Sequence, residues 1–489
     1  MIRTTKLLLE FLFLTLCLSL LASGCAVGPD FVRPEPPGAN SYNHGADPAA
    51  TTTADGKAQS FDRGTAMTAD WWRLFNSSQL DVVINDAIAG NPNLQAAQAS
   101  LRQSQDNLRA GYGIFFPTVD AGFDATRQKL SPYRFGGGAP GSIFNLYTLQ
   151  ATVNYTLDFF GGERRAVEGL QAQVDFQQNV VRGTYLALTG NVVNTLIAHA
   201  AYREQVKVAE QIIDYEREQV GIAEVQAEAG AVPFSNVLSL RSQLASAEAT
   251  LLPLRQKLYQ AEHLLATLTG HAPAEWAPPQ VGLADITLPL NLPVTLPSEL
   301  VRQRPDILAA EAQLHSASAG IGVATAALLP SFSINASYGR DNTALSNILN
   351  KAGGIWSLGA DVVAPLFHGG ALRFKREAAI EGYNQSAASY RQTVLNAFAQ
   401  VADTLLALEN DAKTLEAQSN ALSAAEEALH LVQANYAAGV ANYLQVLAAD
   451  EQYNQANAGY VQAKAQRLQD TVALFVALGG GWWNGEAGR

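Results

Sequence analysis

Two periodicities alternate along this chain, and the whole alternation occurs twice. Leu80, Val83, Ile84, Ala87 and Ile88 recur at helical spacing, which predicts a short amphipathic helix closed by Gly90, with Ser78 and Asp81 as its capping box. Pro92, suited to a first helical position, opens a second helix running to Phe115. After Pro117 the period drops to two. Val119, Ala121, Phe123 and Ala125 alternate with Thr118, Asp120, Gly122 and Asp124. In residues 148–159, Leu149, Ala151, Val153, Tyr155, Leu157 and Phe159 share one face. Thr148, Gln150, Thr152, Asn154, Thr156 and Asp158 share the other. A proline-free helical stretch follows over residues 162–228, about 100 Å long at 1.5 Å per residue. Gly230 breaks it, and a helix of roughly 37 residues returns.

The second half repeats this order. Residues 91–101 match residues 304–314 at an offset of 213 (305 − 92), which still holds at Pro117 and Pro330. Gly161-Gly162 answers Gly369-Gly370, Gly230 answers Gly439, and Val237-Leu238 answers Val446-Leu447. Chance similarity between Ala-rich helices would not keep prolines and glycines in register, so the chain is an internal duplication. The second pair of strands sets Phe332, Ile334, Ala336 and Tyr338 against Ser331, Ser333, Asn335 and Ser337. Its last strand sets Trp356, Leu358, Ala360 and Val362 against Ser357, Gly359 and Asp361. A second long helix is expected over residues 370–438. Helices this long need partners along their apolar stripe, as in a coiled coil.

The strand runs are each roughly 10–12 residues, the length a tilted strand needs to cross a bilayer. Phe115, Phe116, Phe159, Phe160 and Phe367 gather at the helix-side ends, and Tyr147 and Trp356 at the loop-side ends, as in aromatic girdles. An open sheet edge in lipid leaves unpaired N–H and C=O groups, each costing several kcal/mol. Four strands are too few to close a barrel, so copies must join. Two copies would supply eight strands and three would supply twelve; strand physics leaves both open.

Composition narrows the function. Lys and Arg number 32 against 44 Asp and Glu, a formal charge of −12, which argues against nucleic acid or an anionic membrane surface as the main partner. The seven His are scattered without metal-ligand spacing. No nucleotide-binding or nucleophile motif is present. Glu163 with Glu168, and Glu426 with Glu427, read as solvated helix faces. No enzyme activity and no cofactor are expected. Residues 1–24 have the layout of an export signal: Arg3 and Lys6, an apolar stretch to Leu21 interrupted by Glu10, then small residues before Cys25. Leu21-Ala22-Ser23-Gly24-Cys25 resembles a lipobox, with Ala22 where Leu is commonest, which makes Cys25 the acylated first residue of the mature chain. Cys17 leaves with the signal, so an internal disulfide is impossible. Ala26 stands where an inner-membrane retention signal would have Asp, which points to the outer membrane.

Asp70-Trp71-Trp72-Arg73-Leu74-Phe75, Leu296-Pro297-Ser298-Glu299-Leu300 and Arg304-Pro305-Asp306-Ile307 are distinctive. So are Pro330-Ser331-Phe332, Leu157-Asp158-Phe159-Phe160-Gly161-Gly162 and Phe367-His368-Gly369-Gly370. On these stretches, essentially everything after Cys25 resembles the TolC-like outer-membrane efflux family, in its NodT-type lipoprotein branch. The resemblance implies a mixed α/β membrane protein: a homotrimer with four transmembrane strands per chain, a twelve-stranded barrel, a long periplasmic helical barrel and an α/β belt around it. It implies a periplasmic adaptor docked on the helix turns at Gly230-Ala231 and Gly439-Val440, and an inner-membrane pump reached through that adaptor. It places the periplasmic constriction at Leu444 and Gln445, with Leu444 as the apolar ring. Ala448 stands where the family has an Asp, and Asp450 lies about 200° further around the helix.

The expected division is a signal over 1–24 and a lipid-anchored extended segment over 25–69. An equatorial and first helical segment covers 70–116, the first β-hairpin 117–160, and the first helical hairpin 161–270. An equatorial connection (271–303), a helix (304–329), a second β-hairpin (330–367), a second helical hairpin (368–478) and a tail (479–489) follow. The expected function is a passive duct exporting drugs or other small molecules. A protein-secretion exit duct and a pore-less periplasmic scaffold are the alternatives.

Overall fold

The computed structural model describes residues 26–484 except 46, 66, 132 and 134–140. The expected signal over residues 1–24, the lipidation residue Cys25, most of the first Gly-rich loop and the last residues of the tail lie outside the described residues. In chain order the elements are β1 (Ser60–Arg63), α1 (Ser78–Gly90), α2 (Pro92–Gly111), β2 (Thr118–Leu130) and β3 (Ser142–Leu157). Then come α3 (Gly162–Glu228), α4 (Phe234–Leu268), β4 (Asn291–Val294), α5 (Pro297–Gln303) and α6 (Pro305–Ala326). The order closes with β5 (Ser331–Asn342), β6 (Gly354–Val363), α7 (Ala371–Ala437) and α8 (Tyr443–Ala477). The duplication is visible in the lengths: α3 and α7 have 67 residues each, and α4 and α8 have 35 each. The chain forms two compact units.

One unit comprises the segment ending at Arg33, Ser100–Gln177 and Ala310–Tyr390. It holds a four-stranded antiparallel sheet in the order β2-β3-β5-β6. The register aligns Val119, Val153, Ala336 and Leu358 in one row across the sheet. The next row of that face aligns Ala121, Ala151, Tyr338 and Trp356. The opposite face aligns Asp120, Thr152, Ser337 and Ser357, where the two serine hydroxyls bond at 2.8 Å. Alternation within each strand therefore becomes one apolar and one polar sheet surface. Gly339 is required by close approach, since a Cβ there would lie 2.5 Å from the Leu149 carbonyl oxygen.

The first two of the four strands are longer than the expected 10–12 residues, and the other two match it. β2 and β3 have 13 and 16 residues, and β5 and β6 have 12 and 10. β3 pairs with β5 only from Tyr147 onward, so Ser142 to Leu146 bond to β2 alone. β3 also ends at Leu157, before Phe159. At the sheet-to-helix corners Gly161 and Gly369 take φ of 76° and 57°. Both oxygens of Asp158 accept backbone N–H bonds from the first turn of α3, from Glu163 and Arg164. The N-terminal segment is fastened beside this corner. Val27 N–H donates to the Phe160 carbonyl at 2.9 Å, Arg165 bonds Asp30 at 2.6 Å and Glu168 at 2.7 Å, and Phe31 stacks on His315.

The other unit comprises Pro34–Ala99, Gln178–Ala309 and the chain from Arg391. β1 and β4 pair in parallel. The Trp71–Phe75 turn buries Trp71 and Phe75 against Phe475 of α8, at ring distances of 5.4 and 6.2 Å. The expected capping box at Ser78 and Asp81 does not form. Ser77 takes the cap position without a side-chain bond, and Asp81 instead accepts the Trp72 indole N–H at 2.9 Å. A buried indole donor needs an acceptor, and the nearest carboxylate supplies it. Asn91 caps α2 through Leu94 N–H, and Asn442 with Gln445 forms a complete capping box on α8. Arg467 of α8, fully buried, bonds Gln59, Thr51 and the Lys57 carbonyl.

Candidate functional site: sheet surface, helix turns and constriction

The sheet surface follows from the register. Leu358 and Trp356 of the apolar face are 72% and 77% exposed, and Val119, Phe123, Tyr338 and Val362 are exposed beside them. Water would not tolerate this much contiguous apolar area on a soluble chain. The outer edges of β2 and β6 have no strand partner among the described residues. Phe159 and Phe160 meet Phe332 at ring distances of 4.6 and 6.3 Å at the helix-side end, while Trp356 and Tyr338 pair toward the loop end. No helix among the described residues is long and apolar enough to cross a membrane.

The two helix turns are built alike. Gly230 and Gly439 take φ of 72° and 73°. Gly230 N–H donates to Ala227 and Ala231 N–H to Gln226; Gly439 N–H donates to Tyr436 and Val440 N–H to Asn435. Each is a Schellman ending, in which the left-handed residue lets two amides fold back onto the last carbonyls. Ala231 and Val440 are exposed just past each glycine.

Past the second turn, Tyr443, Val446 and Leu447 face inward: Tyr443 and Leu447 pack on Val220, Ala223, Val237 and Leu240. Leu444 faces the other way and is 55% exposed. Gln445 is exposed and its side chain accepts the Asn442 N–H at 2.9 Å, so it steadies the helix start. Ala448 is exposed one turn beyond Leu444. Asp450 is buried, accepting from Asn454 at 3.2 Å. Burial pushes its carboxyl above the usual range, which Asn454 opposes. It therefore does not replace, on the exposed face, the carboxylate missing at Ala448. Glu216 of α3, also buried, is raised by burial first and further by Asp450 and Glu451, while Gln243 lowers it. Nothing in the sequence marked Glu216, because a charged residue at helical spacing looks the same on a wet face as on a packed one. Glu426 and Glu427 are exposed, and Glu168 pairs with Arg165 and His315.

A large apolar sheet face with open edges, joined to paired long helices, defines an outer-membrane channel subunit. Comparison with known proteins agrees. The model of the family described as "Outer membrane efflux protein" matches residues 83–271 and 296–480. The pyoverdine export outer membrane protein OpmQ of Pseudomonas aeruginosa is 31% identical over 433 residues, covering 86% of this chain and 88% of its own. The probable outer membrane lipoprotein SilC of Salmonella typhimurium is 25% identical, covering 94% and 97%. The solved structure of the outer-membrane channel OprN superposes with a TM-score of 0.82 at 27% identity, covering 94% of this chain and 100% of that one. The chain belongs to the outer membrane efflux protein family. It is an outer-membrane efflux channel protein with the duplicated strand-and-helix fold of that family.

Proposed function

We propose that three copies of this chain close a twelve-stranded barrel and continue it as a helical duct, a passive exit for drugs and other small molecules. One observation carries the reading: a four-stranded sheet with an apolar face and two edges that have no strand partner among the described residues. In hydrocarbon such edges must be completed by sister chains. The TolC-like resemblance favours three copies over two. Cys25 is the lipidated residue. Val27, two positions on, donates its N–H to the Phe160 carbonyl at the foot of the sheet. The exposed turns at Gly230-Ala231 and Gly439-Val440 dock a periplasmic adaptor, and through it an inner-membrane pump supplies the energy. Leu444 narrows the closed duct, with Gln445 beside it. The protein is not an enzyme, needs no cofactor and has no nucleic-acid partner.

Two measurements test this. Deleting the gene sensitises the cell to a panel of antibiotics, dyes and solvents, and the intact gene restores resistance. The purified protein conducts in planar bilayers. A stable monomer, soluble without detergent after removal of the acyl group, would sink the proposal.

A further inference from the structure

A cavity of about 620 Å³ opens between α3, α4 and α8, within one compact unit. That volume suits a drug-sized molecule. Its ends differ in chemistry. At one end stands Glu216, only 4% exposed, whose Oε2 has no hydrogen-bond partner among the described residues. The groups acting on its carboxyl are Gln243 from α4 and Asp450 and Glu451 from α8; no cation is among them. The other end carries Val208, Leu254 and Val461, with Gln205 and Thr250 beside them. A buried carboxylate with an unpartnered oxygen, one amide partner and only acidic groups as charged neighbours is costly, and a donor cation relieves that cost. Among the described residues no three His, Cys, Asp or Glu side chains are placed to hold a metal ion. The site therefore suits one charged donor carrying an apolar body.

We propose that this cavity binds an amphiphilic organic amine, its ammonium donating to the Glu216 carboxylate and its apolar part lying against Val208, Leu254 and Val461. The location adds meaning. Glu451, Gln455 and Ala458 of the cavity lining lie within about 40° of Leu444 around α8, at 100° per residue. All are exposed, so the cavity opens on the face that carries Leu444, about 10–20 Å along the helix from it. On this point the inference rests on the duct reading: the amine is a passenger held just inside the constriction.

The test uses the full-length trimer in detergent and dansyl cadaverine, a fluorescent primary amine, with its uncharged N-acetyl derivative as control. Wild type should bind the amine at least about tenfold more tightly than Glu216→Gln does, and about tenfold more tightly than it binds the acetylated probe, as loss of a charge-assisted hydrogen bond requires. Ala458→Phe fills the cavity while keeping Glu216 and should also abolish binding. Heat-resistant trimer bands show that each variant is assembled. Equal binding by wild type and Glu216→Gln, or by the amine and its acetylated form, overturns the inference. Conductance of the same preparations separates the two claims. A conducting wild type without Glu216-dependent binding leaves the duct and removes the site. Glu216-dependent binding without conductance removes the duct and leaves the site.

Discussion

Asp411 of α7 shares a hydrogen bond with Asp470, and its carboxyl is pushed up to about 8, by burial first and Asp470 next, with Arg467 opposing. The unfolded chain titrates near the ordinary carboxylate value, so the native state holds this proton more tightly. Its contribution is complete below the unfolded value and is lost as pH rises through about 8. Asp411→Asn keeps a donor facing Asp470 and removes the titration. Its melting temperature should exceed that of wild type at pH 9, and the difference should close toward pH 5. A constant difference across that range would refute the assignment. Leu444→Ser acts on passage instead. Because Leu444 is exposed in the subunit, stability should shift by only about 0.5 kcal/mol. Resting conductance and inward entry of large antibiotics should rise; unchanged conductance would free Leu444 of any part in the constriction. At this scale sequence reading succeeded where one residue carries its own conformational demand, as at Gly230 and Gly439. It failed where the partner is chosen by packing: Asp81 serves Trp72, and Glu216 is buried beside Asp450 with no signal in the sequence.

The elements were legible to the extent that their surroundings impose a period. Between lipid and water every second residue must change character, and the apolar face holds from the row of Leu157, Phe332 and Val362 to the row of Ala121, Ala151, Tyr338 and Trp356, before Arg340, Arg127 and Lys129 interrupt it. Beyond the hydrocarbon that demand lapses, which is why the extra length of β2 and β3 was not foreseen. The faces make a contrast that can be measured. Leu358→Arg places a charge toward lipid and should cost about 2–4 kcal/mol, lowering yield of folded trimer. Ser357→Arg, one residue away on the polar face, should assemble normally and reduce conductance. Equal damage from both would mean the faces are misassigned. The long helices were legible because glycines end them and prolines are absent. Their turns give a second contrast: valine at both Gly230 and Gly439 forces left-handed backbone on a branched residue, at about 1–2 kcal/mol each. Trimers should still form while drug resistance falls.

The whole molecule is where strand physics stopped short, since the edges of β2 and β6 demand partners without saying how many. Single cysteines on β2 and on β6, oxidised in cells, should join subunits into a ladder ending at three. A ladder ending at two would give an eight-stranded barrel, and no ladder would leave the edges unpaired. The two copies of the repeat also differ in reach. Among the described residues Ser142 to Leu146 of β3 pair only with β2, so five residues of ribbon continue past the shared rim, about 17 Å at roughly 3.3 Å per residue. With the helices in the periplasm, that ribbon projects into the outside medium, once per subunit. On the trimeric reading proposed above, a phage or an antibody approaching the cell could grip three such ribbons without touching the passage beneath.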